Sequence, residues 1–354
     1  LRNSLKQKNL QNGKQLAYIL AFAFLALSMI VGISVGSVSV PVSELFQIIG
    51  KEVFQLPLST EANVMFTNIV MKIRLPRVVL AGLVGASLAI SGAAFQGLLR
   101  NPLADPYTLG VSSGASVGAV VTIFFGLSLP VIGLFTLPLL SVLFSFLTIF
   151  SVLLFAQKMD RSIKVETIIL TGIIFSSFLG AFISLMIALT GEELRQIIGW
   201  LLGSVSMRGW SYVGIILPFF IVGTVILMLN ARELNALSFG EERAQHLGVN
   251  VKQRKLMILI AGSLLTGAAV AVSGTIGFVG LVIPHFTRRL VSPDHKHLLP
   301  LSMIIGAGFL ILADLVSRVI ISPAELPIGV ITALIGAPVF AIILLKRRRI
   351  EERR

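Results

Sequence analysis

The sequence predicts an all-α polytopic membrane protein of about ten transmembrane helices, and three observations carry that expectation. Of 354 residues, 55% are hydrophobic and 13% charged, with a mean hydropathy of +0.95; soluble domains run at roughly 45–50% apolar and about 25% charged. The apolar residues gather into runs near the ~20 residues that a helix needs to cross the hydrocarbon. The cations fall unevenly between the connections, as orientation in a bilayer requires.

The first run, Leu16 to about Gly36, follows Lys6, Lys8 and Lys14. It exceeds the roughly 7–15 residues of a secretory h-region and lacks a small-x-small cleavage site, so it reads as a retained span behind a tail of residues 1–15. In the long loop 37–75, Leu45, Ile48, Ile49 and Val53 are separated by Glu44, Lys51 and Glu52, the pattern of a short helix on the membrane surface between Ser43 and Phe54. The run 76–99 holds Gly82, Gly85, Ala86, Ala89, Gly92, Ala93 and Gly97. Such residues let backbones approach closely in a bilayer, where no hydrophobic force drives helices together. Further runs lie near 111–126, 131–157, 165–189, 212–229, 255–273, 276–287, 298–321 and 327–345. Those at 111–126 and 276–287 are short and Gly-rich or Pro-interrupted, as expected of segments buried among helices or lining a cavity. The transmembrane domain thus covers 16–345, with a polar interruption at 232–252 and a basic tail at 346–354.

With the N-terminus inside, alternation puts Arg100, Lys158, Arg161, Lys164, Arg232, Arg243, Lys252, Arg254, Lys255, Arg288, Arg289, Lys296 and both tails on the cytoplasmic side. That accounts for 22 of the 29 Lys and Arg, leaving Lys51, Lys72, Arg74, Arg77, Arg195, Arg208 and Arg318 outside. The division obeys the positive-inside rule. The net charge of +13 is read as this asymmetry, not as a nucleic-acid surface.

Several chemistries are excluded. Zero Cys removes disulfides, Cys-ligated metals and thiol nucleophiles. There is no Gly-x4-Gly-Lys-Ser/Thr phosphate loop and no His-Glu-x2-His zinc signature. Gly110-Val111-Ser112-Ser113-Gly114 matches the nucleophile-elbow pattern, with His285 as an imaginable base, but the strand and the orienting acid are missing, and small residues at a helix start explain it. Asp294-His295-Lys296-His297 reads as solvated polar residues rather than metal ligands. No catalytic or metal-ligating residue is assigned.

Ionisable groups inside a membrane are costly and mark function or structure. Asp314 and Arg318, four apart near the outer end of the ninth run, have the acid-before-base order of a helix ion pair. No set of buried carboxylates suits a proton relay, which counts against an ion-coupled carrier. Gly240-Glu241-Glu242-Arg243-Ala244-Gln245-His246-Leu247-Gly248 reads as a short helix closed by glycine, with acid at its start. It suits a docking element for a soluble partner, with a solvated connector as the alternative. Ser91-Gly92, Phe95-Gln96-Gly97-Leu98 and Pro102 echo Ser273-Gly274, Phe278-Val279-Gly280-Leu281 and Pro284, a weak sign of related halves.

These stretches, joined by Arg74-Leu75-Pro76-Arg77, Asn101-Pro102-Leu103-Ala104-Asp105-Pro106, Leu109-Gly110-Val111, Ala313-Asp314 to Arg318, Glu325-Leu326-Pro327-Ile328-Gly329 and Gly336-Ala337-Pro338, complete a recognisable set. The chain resembles the iron-siderophore/cobalamin (FecCD-type) permease family of ABC importers over about 17–346. The resemblance implies a type II ABC importer permease fold in a prokaryotic cell membrane, both termini cytoplasmic. It implies as partners a second permease copy, identical or related, two ABC ATPase subunits inside, and an extracytoplasmic substrate-binding protein. ATP and Mg would belong to the ATPase and no cofactor to this chain. By motif, Arg74, Arg77 and Arg318 match the family's outward arginines that meet acidic residues of the binding protein. Asn101, Pro102 and Leu103 match the inner constriction of the pathway. Gly240, Glu241, Glu242, Arg243, Ala244, Leu247 and Gly248 match the element that couples to the ATPase. Val165 and Glu166 stand before Thr167 where family members place small hydroxyl residues, so no gate role is carried over there. The implied cargo is a metal chelate, ferric siderophore before cobalamin, with haem and molybdate behind. The rival function is an ion-coupled secondary transporter acting without an ATPase.

Overall fold

The computed structural model describes residues 2–36, 38–56, 63–130, 133–160 and 164–351, whose regular structure is entirely helical. In chain order the helices are α1 (Arg2–Ser34), α2 (Val42–Glu52), α3 (Val64–Leu98), α4 (Val111–Phe124), α5 (Thr136–Met159), α6 (Val165–Leu189), α7 (Leu194–Leu201), α8 (Gly209–Leu229), α9 (Ala231–Ser238), α10 (Glu241–His246), α11 (Val251–Ser273), α12 (Val279–Leu290), α13 (His295–Val319) and α14 (Ile328–Glu351).

Among the described residues seven helices are long and apolar enough to cross a membrane: α1, α3, α5, α6, α8, α11 and α13. The run at 111–126 gives the shorter α4, the run at 327–345 gives an apolar stretch Ile328–Ile342 within α14, and the run at 276–287 gives the 12-residue α12. The ten apolar runs are therefore not ten full-length spans. Each shortened element starts just beyond a backbone that cannot continue as a helix: Gly110 at φ 79°, Phe278 at φ 69°, and Pro327.

Two other boundaries differ from the sequence expectation. The tail at 1–15 is not separate from the first span, because Arg2 to Ser34 is one helix of 33 residues, about 50 Å at 1.5 Å per residue. At the other end α14 runs on through Glu351 into the basic tail; residues 352–354, like Arg161, lie outside the described residues. The long loop 37–75 gives way to helix at Val64. Asn63 caps that helix by accepting the Met65 N–H at 2.9 Å. Its ladder turns π-helical over Ile69–Arg74, just ahead of Pro76, whose ring and missing N–H disturb the turn before it. Arg74 and Arg77 thus stand on one continuous helix.

The packing is organised around α3, which lies against α8, α11, α12 and α13. Its most apolar window is 83% buried, against 17% for α6 and 22% for α1, most of whose surface this chain leaves uncovered. The small residues explain how α3 can sit so deep. A Cβ on Gly85 would stand 2.3 Å from the Gly306 carbonyl oxygen of α13, and one on Gly92 would stand 2.0 Å from the Gly280 oxygen of α12. No larger side chain fits either crossing.

The connection after α3 folds back into the bundle. A Cβ on Gly280 would stand 2.9 Å from the Leu88 oxygen, about midway along the 75–98 stretch, and 3.0 Å from the Pro106 ring. The chain at 104–106 and the non-helical segment 274–278 therefore run among the helices, and irregular backbone is tolerated at membrane depth when protein satisfies it. Tyr107 does so here: its hydroxyl donates to the Ile276 oxygen at 2.7 Å and accepts the Ile276 N–H at 3.0 Å. The two echoed stretches do not share a conformation, since 91–98 is helix and 274–277 is not. They meet instead, with the Gln96 amide donating to the Leu281 oxygen at 3.1 Å.

Candidate functional site: two charged ends of one bundle

At the end where α3 begins, three arginines are turned inward. Arg74 Nη1 donates to the Ile33 and Ser34 oxygens at 2.7 and 2.9 Å, and Nη2 donates to the Val38 oxygen. A cation thus caps the last carbonyls of α1, where the helix dipole favours it. Arg77 Nε and Nη2 reach Asp314 Oδ1 at 3.0 and 2.9 Å, while Nη1 and Nη2 reach the two oxygens of Glu325 at 2.8 and 3.0 Å. Ser206 adds a contact at 3.3 Å. Arg318 Nε stands 3.2 Å from Asp314 Oδ2, too poorly aligned for a hydrogen bond, and its Nη2 donates to the Gly32 oxygen at 2.8 Å. Two guanidinium groups meet two carboxylates, while Arg74 is held by carbonyls alone, so the cluster keeps a surplus positive charge.

The expected Asp314–Arg318 pair is present, but Arg77 is the closer and better aligned partner of Asp314. The side chains of Arg77 and Arg318 are 10% and 8% exposed. Exposed cations at this end are Lys51, Lys72 and Arg195. Glu325 is the participant that sequence reasoning passed over. Burial alone would raise its carboxyl, but the hydrogen bond and charge of Arg77 hold it below its ordinary value. The available signal was an acid placed directly before Leu326-Pro327, just past the span that carries Asp314.

At the opposite end, a cavity of about 720 Å³ opens among Gln96, Arg100, Pro102, Asn235, Arg288 and His295. Asn101 and Leu103, the expected constriction, are exposed beside it, the Asn101 Oδ1 accepting the Leu103 N–H at 2.9 Å. Asp294 caps α13 through the Lys296 N–H at 3.0 Å and accepts the Asn235 amide at 2.7 Å. Burial pushes its carboxyl up, but those hydrogen bonds hold it below the usual carboxylate range. His295 is not solvated as its sequence context suggested: it is 3% exposed, with Nδ1 2.8 Å from Asn235 Oδ1 and Nε2 against Gly97. Ser112 lies buried in the first turn of α4, in a helix start and not a strand-turn-helix elbow.

The polar loop holds two short helices where one was expected. α9 is followed by α10, which starts after Gly240 at φ 114° and is followed by Gly248 at φ 82°. Ala244 is buried underneath, and Glu241 pairs with Lys255 of α11 at 2.6 Å. Glu242 and Arg243 are exposed. Phe239 and Leu247 show 68% and 71% of their surfaces, leaving an apolar face with charged neighbours at the tip of the bundle.

The model of the FecCD transport family matches residues 24–346. The chain belongs to the FecCD transport family. It is 63% identical over 349 residues to an uncharacterized ABC transporter permease protein, YvrB, of Bacillus subtilis, covering 99% of each chain. It is 45% identical over 279 residues to the cobalamin import system permease protein BtuC of Halobacterium salinarum, covering 79% of this chain and 74% of that one. It is 38% identical over 328 residues to the molybdate import system permease protein MolB of Haemophilus influenzae, covering 92% and 94%. A solved inward-facing ABC transporter of metal-chelate type matches with a TM-score of 0.81 at 35% identity, over 94% of this chain and 99% of that one. The relatives are permease proteins of ABC and import systems, and this chain is a polytopic member of that transport family.

Proposed function

We propose that this chain is the membrane permease subunit of an ABC importer that takes up a metal chelate, ferric siderophore first, cobalamin a close second and haem behind them. In this reading about ten helical elements per chain build the pathway, two permease copies, identical or related, pair in a prokaryotic cell membrane, and both termini are cytoplasmic. The observation that carries the reading is the exposed surface of Phe239, Glu242 and Leu247, on and to either side of a short helix anchored from beneath by Ala244 and by the Glu241–Lys255 pair. An ATPase groove is the natural seat for such a tip. Nucleotide would act through its different affinity for two permease states, since a ligand shifts an equilibrium only by its preference between them.

The opposite end is assigned to the binding protein. Arg74, Arg77 and Arg318 supply a surplus positive field there, with Lys72 exposed at its rim, and such charges guide encounter and orientation. The run Asn101-Pro102-Leu103 is placed at the inner constriction. The family's named cargoes range from cobalamin to molybdate at 45% and 38% identity, so cargo selection is assigned chiefly to the external binding protein. A gradient-coupled carrier is disfavoured because Asp314, its natural ion site, is committed to Arg77 and Arg318.

The test is purification of the tagged chain from its own membranes, followed by reconstitution with whatever co-purifies. An ATPase subunit in equal ratio, and ATP-dependent uptake of a ferric siderophore or cobalamin with added binding protein, is the expected result. Recovery of the chain alone, active in gradient-driven uptake without ATP, overturns the proposal.

A further inference from the structure

A groove of about 530 Å³ runs along α1 between it and the corner formed by α12 and α13. Gly13, Ala17 and Phe24 line it from α1, Phe286 and Leu290 from α12, and Ile305 from α13. The wall is apolar throughout and belongs to the face of α1 that the bundle leaves open, since that helix's window is 22% buried. From Gly13 to Phe24 is eleven residues of helix, about 16 Å, which equals the depth of one leaflet in a hydrocarbon core about 30 Å thick.

The groove's shallow end meets a cluster of cations. Lys14 follows the lining Gly13, Arg289 stands three residues beyond Phe286 on the same flank of α12, and Lys296 lies in the first turn of α13. Arg289 and Lys296 are exposed. Asp294 opposes them, its Oδ1 accepting the Asn235 amide and the Lys296 N–H and its charge reaching Lys14, so one carboxylate faces three cations and a surplus of two remains. Tyr18 ties α1 to this corner through His297 Nδ1 at 3.3 Å, which fixes the groove's mouth beside the cations.

We infer that this groove is a built site for one anionic glycerophospholipid, with an acyl chain laid along α1 from Ala17 to Phe24 and the headgroup phosphate held by Lys14 and Arg289. A zwitterionic lipid brings the same phosphate but also its own cation, which cancels the charge that Lys14 and Arg289 attract. Two cations near a bilayer surface correspond to about a thirtyfold preference for an anionic over a zwitterionic headgroup.

The experiment is native mass spectrometry of the full chain taken from nanodiscs of equal phosphatidylglycerol and phosphatidylcholine, with gel filtration to check folding. Wild type is expected to retain about one phosphatidylglycerol per chain. The Lys14→Gln, Arg289→Gln variant is expected to keep a lipid but lose the headgroup preference, and Ala17→Trp, which fills the groove floor, to lose the retained lipid. Equal retention of both lipids by wild type overturns the inference, as does a headgroup preference unchanged in the charge variant. So does undiminished lipid in a folded Ala17→Trp protein.

Discussion

Arg77 on α3 and Asp314 on α13 are joined by three hydrogen bonds of 2.9 to 3.1 Å, with the Asp314 side chain 1% exposed. Removing one member of such a pair strands the other charge, which costs about 3–5 kcal/mol, whereas replacing both by apolar groups of similar volume is often neutral. Asp314→Ala is therefore expected to lower the melting temperature of the purified protein sharply. The double variant Arg77→Met, Asp314→Leu should recover part of that loss. The recovery will be incomplete because Arg318 and Glu325 lose a neighbour too. Equal melting of Asp314→Ala and wild type in thermal unfolding would show that the pair contributes nothing.

The same guanidinium gives Glu325 a pH signature. Its folded-state pKa lies below the ordinary 4.5, so the stability it contributes is fully present above that value and fades as pH falls through the lowered folded value. Melting curves taken between neutral pH and acid should show wild type converging on Glu325→Gln only below about pH 4.5. Convergence at higher pH would mean that Arg77 does not hold this carboxylate.

Glycines of α3 should separate into two classes. At Gly92 an added Cβ meets backbone at 2.0 Å, and backbone cannot give way, whereas at Gly82 the nearest atom is a side-chain carbon at 3.5 Å. Overpacking of a filled interface costs about 1–3 kcal/mol or more, while Gly→Ala in a helix with room is worth roughly 0.4–1 kcal/mol in favour. Expression and detergent stability are expected to fall for Gly92→Ala and to hold or rise for Gly82→Ala. The reverse order would contradict the α3–α12 crossing.

Much of this fold was legible because hydropathy reports burial from water directly. The small-residue stripe from Gly82 to Gly97 announced a buried helix, and the Leu45, Ile48 spacing announced α2. What stayed hidden depends on where the chain returns. Nothing local to Tyr107 says that its hydroxyl will serve the backbone of Ile276, 169 residues away. Glu325 and Asn235 likewise acquire their roles from neighbours supplied by α3 and α13. The run at 276–287 looked like a span because composition counts apolar residues, while the helix start is set by the backbone at Gly274 and Phe278. At the arginine end the sequence showed the charges but not their partners, and a surface reading of Arg74 follows from a helix wrongly begun at residue 76.

That distinction decides how the α10 loop should be probed. Glu241 and Glu242 look equivalent in sequence, yet Glu241 is bonded to the buried Lys255 and Glu242 faces outward. Charge reversal at Glu241 sets a lysine against a lysine whose side chain is 2% exposed, so it should disturb the loop itself and cost stability as well as partner binding. Glu242→Lys should leave thermal stability within about 0.5 kcal/mol, as surface substitutions do, and still reduce recovery of a co-purifying ATPase. Leu247→Ser removes apolar contact without touching the Glu241 pair and should act in the same direction. Pull-down yield measured beside melting temperature separates the cases. Loss of ATPase only in variants that also melt early would make α10 a structural connector, and loss in Glu242→Lys and Leu247→Ser at unchanged stability would make it the coupling surface.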